Sequence, residues 1–126
     1  MTTVREVMST DLITVAPSAM MSQAVGTMSK AGVGSILVLE DGALLGIFTE
    51  RDVLRAFDQL HADPARVAPV SMGMTRDPQT IDPDATVGKA MDRMLDGGFR
   101  HLPVMEGGRL VGIVSMRDLA RSVSKG

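Results

Sequence analysis

The chain has 126 residues, 44% apolar and 22% charged, with a formal net charge of −2. These proportions describe one globular domain with a substantial core and no global attraction for nucleic acid or anionic membranes. With no cysteine, Trp or Tyr, three Phe and eleven Met, it excludes a disulfide frame and a thiolate nucleophile or Cys-based metal site. A ring-shaped ligand would have to be held by aliphatic side chains.

The N-terminal residues Met1, Thr2, Thr3, Val4, Arg5 and Glu6 carry no apolar signal region. Apolar runs such as 36–39 fall far short of the roughly 20 residues that a spanning helix needs. A cytoplasmic location is the expectation. Residues 12–15 read as a short extended stretch before Pro17. Met21, Ala24, Val25 and Met28 then lie on one face of a helix that stops near Gly32. Runs 36–39 and 44–48 are strands joined by Asp41-Gly42, a strong two-residue hairpin signal. Thr49 opens a second helix that runs to about Leu60, and 61–69, with Pro64 and Pro69, is the linker.

The same order then returns. Residues 79–81 make an extended stretch before Pro83, and Val87, Ala90, Met91, Met94 and Leu95 follow helical spacing up to Gly97-Gly98. Strands at 102–105 and 110–114 flank a turn at Glu106-Gly107-Gly108, and Ser115 opens the last helix. Met21, Met28, Met91 and Met94 are read as pliable core filler.

This recurrence is a true internal repeat. At one offset of 66 positions, Met8, Asp11, Thr14, Pro17, Ala24, Met28, Gly32, Val38, Gly42, Leu44, Gly46, Ile47, Arg51 and Asp52 fall on identical residues. A unit of this length is long for a solenoid and short for an independent domain. The expected fold is α/β, with two β-α-β-β-α repeats packed through their sheets with pseudo-two-fold symmetry. The expected boundaries are 1–60 for the first repeat, 61–69 for the linker and 70–126 for the second repeat.

The chemistry concentrates where the second strand of each hairpin runs into a helix. Gly46-Ile47-Phe48-Thr49-Glu50-Arg51-Asp52 and Gly112-Ile113-Val114-Ser115-Met116-Arg117-Asp118 share one form. One reading is purely structural: a hydroxyl N-cap with an acidic residue three positions later is a capping box, and the carboxylate suits the helix dipole. The other uses the same geometry for binding. A carboxylate accepts two bonds from vicinal ribose hydroxyls, while helix N–H groups, a hydroxyl and Arg51 or Arg117 suit phosphate.

These doubled motifs, the β-α-β-β-α order, and the phrases Gly98-Phe99-Arg100-His101-Leu102-Pro103-Val104 and Gly108-Arg109-Leu110-Val111-Gly112-Ile113-Val114-Ser115 strongly resemble a tandem pair of cystathionine-β-synthase (CBS) domains, a Bateman module. The resemblance runs from about Val4 to Ser122. It implies two clefts between the repeats. One would combine Ile47, Thr49, Arg51 and Asp52 with Thr80, Ile81, Arg100 and His101; the other would combine Ile113, Ser115, Arg117 and Asp118 with Thr14, Val15, Gly34 and Ser35. The implied ligand is an adenosine derivative (AMP, ADP, ATP or S-adenosylmethionine), with no required cofactor and no metal. Arg100 and His101 stand where the first repeat has Gly34 and Ser35, so the Asp52 cleft is expected to favour charged nucleotides.

The leading function is therefore a regulatory, ligand-sensing module, expected as a homodimer whose output passes through a regulated protein partner or through its own assembly. The alternative is a structural dimerisation module without a nucleotide ligand. An enzyme is disfavoured, because the two histidines and the absent cysteine leave no Ser–His pair or metal cluster at a recognisable spacing. Nucleic-acid binding is disfavoured by the acidic balance and the lack of stacking aromatics.

Overall fold

The computed structural model describes residues 1–60 and 67–125. Its chain divides into two compact units, 13–78 and 1–12 with 79–126. Neither coincides with a sequence repeat: the first twelve residues belong with the second repeat.

In the unit 13–78, β1 (Thr14–Val15) is followed by α2 (Met21–Ala31), β2 (Ser35–Glu40), β3 (Ala43–Thr49) and α3 (Glu50–Leu60). A short 3-10 turn, Val70–Met72, then leads into β4 (Thr75–Arg76). The sheet order is β1-β2-β3-β4, with β1 parallel to β2 and the other pairs antiparallel. Asp41 and Gly42, with φ of 52° and 80°, make the hairpin turn; two left-handed residues match the twist of the strands they join. Gly32, at φ 69°, closes α2, since glycine enters that conformation without a Cβ clash. Of the linker expected at 61–69, residues 61–66 lie outside the described residues. Ala68 accepts from Met21 N–H at 2.8 Å.

The other unit contains the short helix α1 (Val4–Val7), α4 (Val87–Gly97), β5 (His101–Glu106), β6 (Arg109–Ser115) and α5 (Met116–Lys125). Thr86 caps α4 by accepting from Lys89 N–H at 3.1 Å. The β5–β6 hairpin is flanked by a parallel bridge from Ile81 to Val104 and an antiparallel bridge from Ser9 to Ile113. These repeat β1 and β4 of the first sheet position for position. The expected strand at 79–81 is thus a single bridge, and Ser9 supplies the edge that Thr75 supplies in the other unit.

Helix periodicity sorts most side chains as expected. Met21, Ala24 and Met28 join Ile36, Val38 and Phe48 in one core, and Ala90 and Met94 join Leu102, Val104, Val114 and Leu119 in the other. Leu95 departs from the pattern, being 65% exposed on α4. Val4, fully buried, packs in the second core with Met8 beside it. Arg5 pairs with Asp84 (3.3 Å) and Glu106. Glu106 first, then Asp84, holds the Arg5 guanidinium above its ordinary pKa.

The two motif glycines have a packing reason. A Cβ at Gly46 would lie 2.7 Å from Met74 Sδ and 2.7 Å from the Thr75 carbonyl oxygen; at Gly112 it would lie 2.7 Å from Met8 Sδ and 2.9 Å from the Ser9 carbonyl oxygen. Only a bare Cα lets the edge segment approach so closely. No described helix is long and apolar enough to cross a membrane.

Candidate functional site

Each candidate half-site is built at a strand-to-helix junction. Thr49 ends β3, and Asp52 stands in the first turn of α3. Thr49 donates from its backbone N–H and its hydroxyl to Asp52 Oδ2 at 3.0 and 3.1 Å, and Asp52 N–H donates back to Thr49 Oγ1 at 3.3 Å. Ser115 and Asp118 repeat this at 2.8, 2.9 and 3.1 Å. The capping box is therefore real in both copies. It uses only one carboxylate oxygen, so the Oδ1 edge of each aspartate plays no part in the cap.

The surroundings of the two aspartates differ. Asp52 is 2% exposed and also accepts from the Thr75 hydroxyl, 3.2 Å from Oδ1 and 3.4 Å from Oδ2, with Arg55 Nη1 at 3.5 Å from Oδ1. Asp118 is half-buried.

The hairpins place the residues at the start of β2 and β5 beside the Asp motif of their own repeat. Ser35 is the register partner of Thr49, and His101 that of Ser115. The Gly34 carbonyl accepts from Glu50 N–H at 3.1 Å, and the Arg100 carbonyl accepts from Met116 N–H at 2.8 Å. Ser35 is buried, His101 half-buried, and Arg51, Arg100 and Arg117 are exposed.

Strand alternation divides the remaining candidates. Thr14, Leu37, Ile47 and Thr75 form one row across the first sheet. Neighbours in such a row share a face, and it is the face opposite Val15 and Val38, which pack in the helix-covered core. Thr80 precedes Ile81 in the second unit, and the Thr80 carbonyl accepts from Arg93 Nη1 at 2.5 Å. Ile81 is itself a core residue, with its N–H bonded to the Pro103 carbonyl and its carbonyl accepting from Met105 N–H. Val15 and Ile81 therefore direct their side chains into cores. Ile113, half-buried, pairs through its backbone with Ser9.

Sequence reasoning missed Thr75, Arg55 and Arg93. The repeat carried a signal for the first of these: Ser9 and Thr75 are both hydroxyl residues directly after the matched Met8 and Met74. Among the described residues, no group of three or more His, Cys, Asp or Glu side chains can hold a metal.

Two β-α-β-β-α repeats, each with a hydroxyl–carboxylate box where a strand enters a helix, define a duplicated α/β module. The chain belongs to the CBS domain family, whose domain matches twice, at residues 4–59 and 67–125. It is 32% identical over 120 residues to the CBS domain-containing protein YhcV of Bacillus subtilis, covering 95% of this chain and 84% of that one. The crystal structure of the CBS-domain containing protein ATU1752 from Agrobacterium tumefaciens superposes with a TM-score of 0.92 at 35% identity, covering 97% of this chain and 99% of that one. The CBS domain pair of protein MJ0100, solved in complex with 5′-methylthioadenosine and S-adenosyl-L-methionine, superposes with a TM-score of 0.89 at 25% identity, covering 98% and 97%.

Proposed function

We propose that this CBS pair is a regulatory, non-catalytic module that binds adenosine-containing ligands (AMP, ADP, ATP or S-adenosylmethionine) with Asp52 and Asp118 as the ribose acceptors. The observation that carries the reading is the duplicated box: the cap engages each carboxylate through Oδ2 alone, and the Oδ1 edge belongs to no cap bond. The adenosyl ligands of the related MJ0100 pair support the ligand class. Thr49 and Ser115 orient the carboxylates, and Arg51, Arg100, His101 and Arg117 supply charge or donors to phosphate. Ile47, Ile113, Thr14, Val15, Thr80, Ile81, Gly34 and Ser35 complete the proposed contacts through side chains or backbone.

A homodimer is part of this reading. Leu54 and Phe57 on α3 are 73% and 45% exposed, an apolar surface suited to a second copy.

Thermal melting with each adenine nucleotide and with S-adenosylmethionine tests the proposal. A ligand that binds only the folded state adds about 2.7 kcal/mol at a hundredfold excess over Kd, several degrees in Tm for a chain of this size. Native mass spectrometry reads retained ligand and oligomer together. Melting curves unmoved by millimolar concentrations of all these ligands would leave the boxes as helix caps and favour the purely structural module.

A further inference from the structure

We propose that the Thr75 hydroxyl is a latch on Asp52 that makes the two ribose half-sites unequal, so that Asp118 fills first and Asp52 only at higher ligand concentration. The proposal rests on the ribose reading of the two aspartates. Thr75 lies 23 residues beyond Asp52 and reaches it across β3 from β4. Its hydroxyl lies 3.2 Å from Oδ1 and 3.4 Å from Oδ2, at the mouth of the carboxylate, where a vicinal diol must place its own donors. With Thr49 on Oδ2 and Arg55 on Oδ1, both oxygens of this 2%-exposed group are occupied. A ribose arriving there has to displace a hydrogen bond to an ionised acceptor.

Among the described residues, the second unit shows no hydroxyl from its edge segment on the aspartate. Ser9 occupies the sheet position of Thr75, exchanging backbone hydrogen bonds with Ile113 at 2.8 and 3.0 Å. Among the described residues no hydrogen bond joins the Ser9 hydroxyl to Asp118, and Asp118 is the more exposed carboxylate. The β-branched Thr75 has fewer rotamers available in a strand than Ser9, which holds its hydroxyl in place. The module would thus read one ligand at two thresholds set about tenfold apart, the order of one charge-assisted hydrogen bond.

Calorimetric titration with AMP and with 2′-deoxy-AMP tests the latch. The proteins are the full chain, Asp118→Asn, and Asp118→Asn combined with Thr75→Val or Thr75→Ser. Valine keeps the strand-compatible shape and removes only the donor. The expected result is that Thr75→Val tightens AMP binding at Asp52 about tenfold, while Thr75→Ser, which keeps the hydroxyl, does not. The gain should be absent with 2′-deoxy-AMP, which lacks the diol. A residue with a merely structural role would loosen binding when replaced, so the direction of change separates the two. Should Thr75→Val not fold, Thr75→Ala gives the same readout. AMP binding that is equal or weaker in the Thr75→Val double variant overturns the latch alone, as does an equal gain with 2′-deoxy-AMP. No binding of AMP to any of these proteins removes the ribose reading and the latch together.

Discussion

Replacing Asp118 by asparagine separates capping from the proposed ligand binding, because the cap uses only the Oδ2 edge of the carboxylate. The Ser115 backbone N–H and hydroxyl both donate to Oδ2, at 2.8 and 2.9 Å. An asparagine keeps these bonds by placing its amide oxygen at the Oδ2 position, which puts its NH2 group where Oδ1 was. The helix then loses only the charged part of the cap, about 1 kcal/mol, and Tm should fall by about 3–6 °C. The ribose loses far more. It gives up a charged acceptor and meets a donor in its place, and bonds to charged groups are worth roughly 1.5–3 kcal/mol each. A loss of about 2–4 kcal/mol corresponds to at least about a thirtyfold weaker site. Asp118→Ala, which also removes the two bonds that Ser115 donates to the side chain but keeps the backbone bond to Ser115 Oγ, should cost the fold about 1–2 kcal/mol and bind no better than Asp118→Asn. Calorimetry with AMP and thermal melting on the same preparations read both quantities. Unchanged affinity in Asp118→Asn would refute the assignment, and so would a Tm loss equal to that of the alanine variant with no separate loss of binding.

Two further predictions follow from the geometry. Gly46→Ala and Gly112→Ala should each destabilise the fold by about 1–3 kcal/mol, because the added Cβ meets a carbonyl oxygen at 2.7 or 2.9 Å. Gly26→Ala, inside α2 with nothing within 4 Å of the new Cβ, should instead stabilise by about 0.5–1 kcal/mol; the opposite signs are read by thermal melting, and the same sign in all three would contradict the packing argument. Arg100→Ala should lower affinity for ATP about tenfold more than affinity for adenosine, and the difference should narrow as salt is raised. Equal losses for the two ligands would remove Arg100 from phosphate recognition.

The local elements were legible in the chain because their causes are local. Met21, Ala24 and Met28 reveal a helix face, Gly32 and Gly98 its end, Asp41-Gly42 the hairpin, and Thr49 with Asp52 or Ser115 with Asp118 a helix start. Each depends on residues within a few positions of one another, where spacing alone decides what can touch. The offset of 66 positions likewise made the duplication plain. What lay beyond the sequence were choices between equivalent partners. Segments 1–12 and 67–78 carry the same pattern, so periodicity could not tell which repeat each would complete. The tertiary structure assigns the first to the second repeat, where Val4 is fully buried and Ser9 pairs with Ile113. The unequal state of the two aspartates was hidden for the same reason. Similar boxes are distinguished by Thr75 and Ser9, which reach their sheets from segments distant in the chain, and that contact depends on three-dimensional register. The sequence determined where the two capping carboxylates stand; the fold decided that Asp52 accepts from a second hydroxyl, that of Thr75.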